Sequence, residues 1–128
     1  MTVIVEGRGL TQDYHVPGGL FGRAKTVRAV KGVDFRVERG KTLATVGESG
    51  SGKSTLARII ALIDPQSGGT PSIEGQPVDI SRRRPSPQLR SKVQMVFQNP
   101  YGSLNPRQKV GDVLMEPLFI NTSIPASE

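Results

Sequence analysis

The chain has 128 residues, enough for one domain with a single core, and it contains no cysteine. That excludes a disulfide framework, a thiolate zinc site and a cysteine nucleophile, and it permits a reducing cytoplasm. A net charge of +6, from 17 Lys and Arg against 11 Asp and Glu, suits a polyanionic partner such as nucleic acid, ATP or an anionic membrane surface.

The first residues, MTVIVEGRGL, place Glu6 and Arg8 just behind a brief apolar run, too short for a signal-peptide core or a membrane span. No longer apolar stretch follows, so the chain is not expected to cross a bilayer, which leaves room for docking on something that does. Residues 27–37 (VRAVKGVDFRV) put Val27, Ala29, Val33, Phe35 and Val37 on odd positions, as a half-buried antiparallel strand or hairpin requires, with Lys31-Gly32 as a plausible turn. Residues 42–46 (TLATV) read as a short buried strand that runs directly into Gly47. From Lys53 the period changes: Leu56, Ile59, Ile60 and Ile63 recur at helical spacing until Pro65. Residues 64–77 are broken by Gly and Pro around a possible short strand at 72–74. The basic run at 81–85 (SRRRP) has no interleaved aromatics for base stacking and reads as a solvated loop. Residues 93–97 (VQMVF) form a second β-rich run, followed by the irregular QNPYGSLNP. Val110, Val113, Leu114 and Leu118 then suggest a further helix interrupted near Pro117, and residues 121–128 carry no obvious terminal element.

Strand, glycine loop, helix is the order that a phosphate site needs. Gly47-Glu48-Ser49-Gly50-Ser51-Gly52-Lys53-Ser54 fits G-x-x-x-x-G-K-[ST], a pattern whose small residues let backbone N–H groups curl around phosphate oxygens at a helix N-terminus. In that pattern Lys53 reaches the β- and γ-phosphates, and the Ser54 hydroxyl is offered to Mg²⁺. Tyr101 and Ser103 carry nucleophilic oxygens, but no base accompanies them.

Residues 47–55 (GESGSGKST) are similar to the Walker A segment of ABC transporter ATPases, and residues 96–100 (VFQNP) resemble their Q-loop. Residues 98–107 (QNPYGSLNPR) look like the version found in ATP-binding subunits of dipeptide and oligopeptide importers, with RGKTL at 39–43 and EPL at 116–118 also in place. This resemblance implies that Gly47, Glu48, Ser49, Gly50, Ser51, Gly52, Lys53, Ser54 and Thr55 surround the triphosphate of ATP. It implies that Ser54 and Gln98 serve Mg²⁺, that Gln98 also stands near the attacking water, and that Tyr14 stacks on adenine ahead of an insertion at 17–25.

The fold class implied is α/β: an incomplete P-loop NTPase core of the ABC ATPase type with a small antiparallel β subdomain. The β subdomain is expected over about 1–45, the phosphate loop and its helix over about 46–64, and the Q-loop region over about 93–107. The family also carries a Leu-Ser-Gly-Gly-Gln signature, an Asp-Glu strand end and a switch histidine, none of which follows Gln98; the sole histidine, His15, lies upstream of the loop. The helical subdomain and C-terminal half are thus expected to be absent, and the chain alone is expected to bind ATP without efficient turnover. Implied partners are transmembrane permease subunits and a second nucleotide-binding subunit, at the cytoplasmic face of the membrane, with no nucleic acid expected. The alternatives are a soluble ABC-type nucleotide binder associated with nucleic acid, or a non-functional truncated product.

Overall fold

A computed structural model of the chain describes residues 2–18, 22–81 and 84–122. It divides into two compact units, Met1–Arg84 and Pro85–Glu128.

The first unit holds a four-stranded antiparallel sheet in the order β2-β1-β3-β4, formed by β1 (Val3–Val16), β2 (Lys25–Glu38), β3 (Gly68–Ile73) and β4 (Gln76–Pro77). β1 and β2 pair along their whole length, from Val3 opposite Glu38 to Val16 opposite Lys25. Lys31-Gly32 therefore lies inside a strand and is not the expected turn. Leu10 pairs with Val33 and Thr11 with Lys31, so Gly32 is an extra residue on β2, a bulge. The bulge resets the alternation: Val33, Phe35 and Val37 are half-buried on odd positions, but beyond it Val30 is buried and Val27 is 43% exposed. β3 and β4 come from beyond the phosphate loop, with Val5 opposite Ile73 and Glu6 opposite Ser72.

Between β2 and β3 stands α1 (Lys53–Ile60), which packs on the sheet through Leu56 and Ile59 against Leu10 and Val30. Leu10 and Ile59 are fully enclosed, and each such aliphatic side chain stabilises by about 1.5–3 kcal/mol. The helix ends well before Pro65. Leu62 enters the left-handed region at φ 60°, its N–H bonds the Ile59 carbonyl at 3.1 Å, and the Ile63 N–H bonds the Arg58 carbonyl at 2.9 Å. This is a Schellman closure with leucine where glycine is usual, and burial of the Leu62 side chain holds it there. The Arg58 guanidinium then grips Asp64 at 2.6 and 2.9 Å, which keeps that carboxyl below its ordinary value of 3.8.

Residues 42–46 carry no strand, contrary to expectation, and Val46 is 88% exposed. A buried strand needs ladder partners, and no strand among the described residues lies alongside this run.

The second unit contains α2 (Pro87–Arg90), α3 (Pro100–Ser103) and α4 (Val110–Asn121). Ser86 and Asn99 cap the first two, their side-chain oxygens accepting the N–H groups of Leu89 at 3.2 Å and Tyr101 at 3.1 Å ahead of a proline in the first turn. α4 continues through Pro117 at the cost of the hydrogen bond to the Val113 carbonyl. Residues 93–97 form no strand either, with Val96 almost fully exposed, for the same want of a partner. Arg82 and Arg83 of the basic run, part of the insertion at 17–25 and residues 123–128 lie outside the described residues. No helix among the described residues is long and apolar enough to cross a membrane.

Ile59→Ala should lower the free energy of unfolding by about 2–5 kcal/mol in urea titration, whereas Ile63→Ala, on a side chain 42% exposed, should stay within about 0.5 kcal/mol of the parent.

Candidate phosphate-binding site

The phosphate loop is held from two sides. Its last glycine, Gly52, is the N-cap of α1 at φ 90°, and a side chain there would press into the Ala29 carbonyl oxygen of β2. Only glycine supplies both that backbone conformation and that close approach. The first helical hydrogen bond, from the Leu56 N–H to the Gly52 carbonyl at 2.9 Å, starts immediately. No side chain caps the helix, so the N–H groups of Lys53, Ser54 and Thr55 in its first turn face outward with the positive end of the helix dipole.

Lys53 folds back over its own loop. Its Nζ donates to the Gly47 carbonyl at 2.8 Å, the Glu48 carbonyl at 2.5 Å and the Ser51 Oγ at 3.2 Å, while the Ser51 N–H closes a turn on the Glu48 carbonyl at 3.3 Å. The ammonium thus sits at the centre of a ring of oxygens that the loop itself provides.

Beside it opens a cavity of about 460 Å³, walled by Gly50 and Lys53 from the loop, Leu56 from α1, and Arg28, Ala29 and Lys31 from β2. Arg28 is gripped by Asp13 of β1, with Nε to Oδ1 at 2.8 Å and Nη2 to Oδ2 at 3.2 Å. The guanidinium holds the Asp13 carboxyl below its ordinary value of 3.8, and the aspartate in turn raises Arg28. Sequence reasoning missed Arg28 and Lys31 because isolated basic residues on a strand carry no pattern of their own.

The structure brings Gly47, Glu48 and Ser51 around the Lys53 ammonium and places Ser54 and Thr55 in the first turn of α1. Tyr14 stands on β1 opposite Val27, 39% exposed and outside the lining of this cavity. Gln98 belongs to the second unit, exposed, just ahead of α3, in a hollow of about 600 Å³ lined by Phe97, Gln98, Asn99, Gly102 and Ser103. Among the described residues no group of three or more His, Cys, Asp or Glu could cage a metal.

Residues 30–124 match the model of the ABC transporter family, and the chain belongs to that family. Its fold is that of a P-loop ATPase cassette: it superposes on the dimeric post-hydrolysis structure of the ATP-binding cassette MJ0796 bound to ADP and Pi with a TM-score of 0.72 at 22% identity, over 95% of this chain and 50% of that one. It is 54% identical, over its whole length, to the di/tripeptide transport ATP-binding protein DppF of Pseudomonas aeruginosa strain UCBPP-PA14, of which it covers 40%. Against the dipeptide transport ATP-binding protein DppF of Escherichia coli K12 it is 50% identical over 94% of this chain and 36% of the relative. The chain therefore spans well under half the length of these relatives.

Gly52→Ala should destabilise by about 2–4 kcal/mol, combining the left-handed penalty with the clash on the β2 backbone. Gly50→Ala, at φ 80° but with nothing within 4 Å of the added carbon, should cost only the backbone term of about 1–2 kcal/mol, and thermal unfolding of the two variants side by side checks the difference.

Proposed function

We propose that this chain is the nucleotide-holding front part of an ATP-binding subunit that powers import of dipeptides or oligopeptides through an ABC transporter. The observation that carries this is a phosphate loop closed around its own lysine, within a chain 54% identical to a di/tripeptide transport ATP-binding protein. The cavity volume of about 460 Å³ lies within the range of small-molecule sites, and the uncapped helix start is the geometry that suits a phosphate.

In this reading residues 47–55 surround the triphosphate, Lys53 turns from the loop carbonyls to the β- and γ-phosphates, and Tyr14 stacks on adenine. Bound Mg²⁺ would neutralise phosphate charge. Ser54 and the phosphates themselves would hold it, and the resemblance implies a role for Gln98 toward the metal and the attacking water. Hydrolysis goes with the family, and a chain without the signature, the Asp-Glu strand end and the switch histidine would turn ATP over poorly by itself. Permease subunits and a second nucleotide-binding subunit would be the partners, at the cytoplasmic face of the membrane.

Lys53→Ala should weaken Mg-ATP binding about ten- to a hundredfold, the scale of hydrogen bonds to a charged group at roughly 1.5–3 kcal/mol, and calorimetric titration measures it. Equal affinities for parent and variant would remove the assignment.

For Gln98→Ala, made in a full-length subunit that contains this segment, ATP affinity should stay within several-fold, because a metal–water contact can replace the lost amide. Peptide-stimulated hydrolysis in reconstituted membranes should fall much further. Equal losses of binding and stimulation would mean that Gln98 is only a wall of the pocket.

A further inference from the structure

We propose that Arg28 is a second cationic contact for the phosphates of the nucleotide, aimed into the phosphate-loop cavity by Asp13. The proposal rests on the nucleotide reading of that cavity and adds a residue outside the loop motif.

Arg28 immediately precedes Ala29, the residue whose carbonyl oxygen abuts Gly52, so its backbone is fixed at the edge of the loop. It shares the cavity wall with Lys53 and Lys31. What separates Arg28 from Lys31 is orientation. Both oxygens of Asp13 engage the Nε and Nη2 side of the guanidinium, at 2.8 and 3.2 Å, and the Nη1 end has no partner among the described residues. No hydrogen bond among the described residues holds the Lys31 ammonium.

Asp13 is itself held. Its N–H donates to the Ser67 Oγ at 2.9 Å, and the Ser67 N–H donates to the Thr11 carbonyl at 3.0 Å, which ties the aspartate to the segment that leads into β3. Asp13 is thus a positioning residue: it consumes one edge of the planar fork and leaves the other for an anion. A guanidinium presents paired N–H groups that match phosphate oxygens, so a phosphate is the ligand that this free edge fits best. The Arg28 side chain is 61% exposed, and its effect should be that of a solvent-screened contact.

The test is titration of the chain with Mg-ATP and with inorganic tripolyphosphate, for the parent, Arg28→Gln, Arg28→Lys, Asp13→Asn and Lys53→Ala. Arg28→Gln should weaken both ligands by about three- to tenfold, and Arg28→Lys should recover part of the loss by restoring charge without the fork. Asp13→Asn should weaken both by a smaller factor although Arg28 stays charged, which a bare charge effect would not produce. A variant with reduced melting temperature is compared at a temperature where its near-UV spectrum matches the parent.

Unchanged affinity for both ligands in Arg28→Gln, while Lys53→Ala loses them, would overturn this inference and leave the nucleotide reading intact. Loss of ATP binding with tripolyphosphate binding retained would also overturn it, assigning the guanidinium to the base. A parent that binds neither ligand would remove both readings together.

Discussion

The site depends on one packing contact, that of Leu56 and Ile59 of α1 against Leu10 and Val30 of the β1–β2 pair. A helix of eight residues is too short to persist on its own propensity in water, so burial of this face is what makes it a helix at all. Once it is seated, the N-terminus of α1 is carried to β2, and Gly52 must pass against the Ala29 carbonyl with no room for a side chain. The phosphate loop is therefore a consequence of tertiary packing as much as of local glycine content. Loss of the Ile59 side chain would act on the loop by loosening the seat of α1.

The bulge at Gly32 serves the same arrangement. It lets β2 present Val33 and Phe35 to the core on one side of the interruption and Val30 on the other, so that a single long strand follows the helix without a break in pairing to β1. Glu6, on the neighbouring strand, accepts Arg36 at 2.7 Å and Arg8 at 3.0 Å, and both guanidiniums draw its carboxyl below the ordinary value of 4.5, with Arg8 the larger influence. Such exposed pairs add little stability. Asp13 pairs with Arg28 on the same sheet in the same way.

The legible part of the site is the one in which chemistry dictates residue type at fixed spacing. Gly47 to Thr55 can be proposed from sequence because phosphate binding needs glycine backbone, one lysine and one hydroxyl in that order, and the start of α1 follows from the apolar residues at 56, 59 and 60. The end of α1 is not legible: Ile63 continues the helical period, and nothing about leucine announces that Leu62 adopts a left-handed conformation. Nor is β1, whose Glu6, Arg8, Gln12 and Asp13 hide its alternation behind polar side chains, several of which belong to ion pairs on the sheet. The runs at 42–46 and 93–97 mislead for a different reason. Their residues favour strands, but a strand is a property of a pair, and apolar content in one segment cannot say whether a partner is present.

Lys53 shows why removal of a residue measures a difference. Its ammonium already has three oxygen partners in the loop, at 2.8, 2.5 and 3.2 Å, so binding a phosphate exchanges one set of charge-assisted hydrogen bonds for another. The net gain is smaller than the gross interaction with the phosphates. Truncation, in turn, leaves the carbonyls of Gly47 and Glu48 without their donor, although both are open enough for water to replace it. In the proposed reading the lysine would do two jobs that cannot be separated by one substitution: it holds the loop in its curled form, and it would meet the incoming charge. A loop kept curled by its own cation has less conformational entropy to lose when an anion arrives, so on that reading part of the lysine's contribution to affinity would be made before any ligand is present.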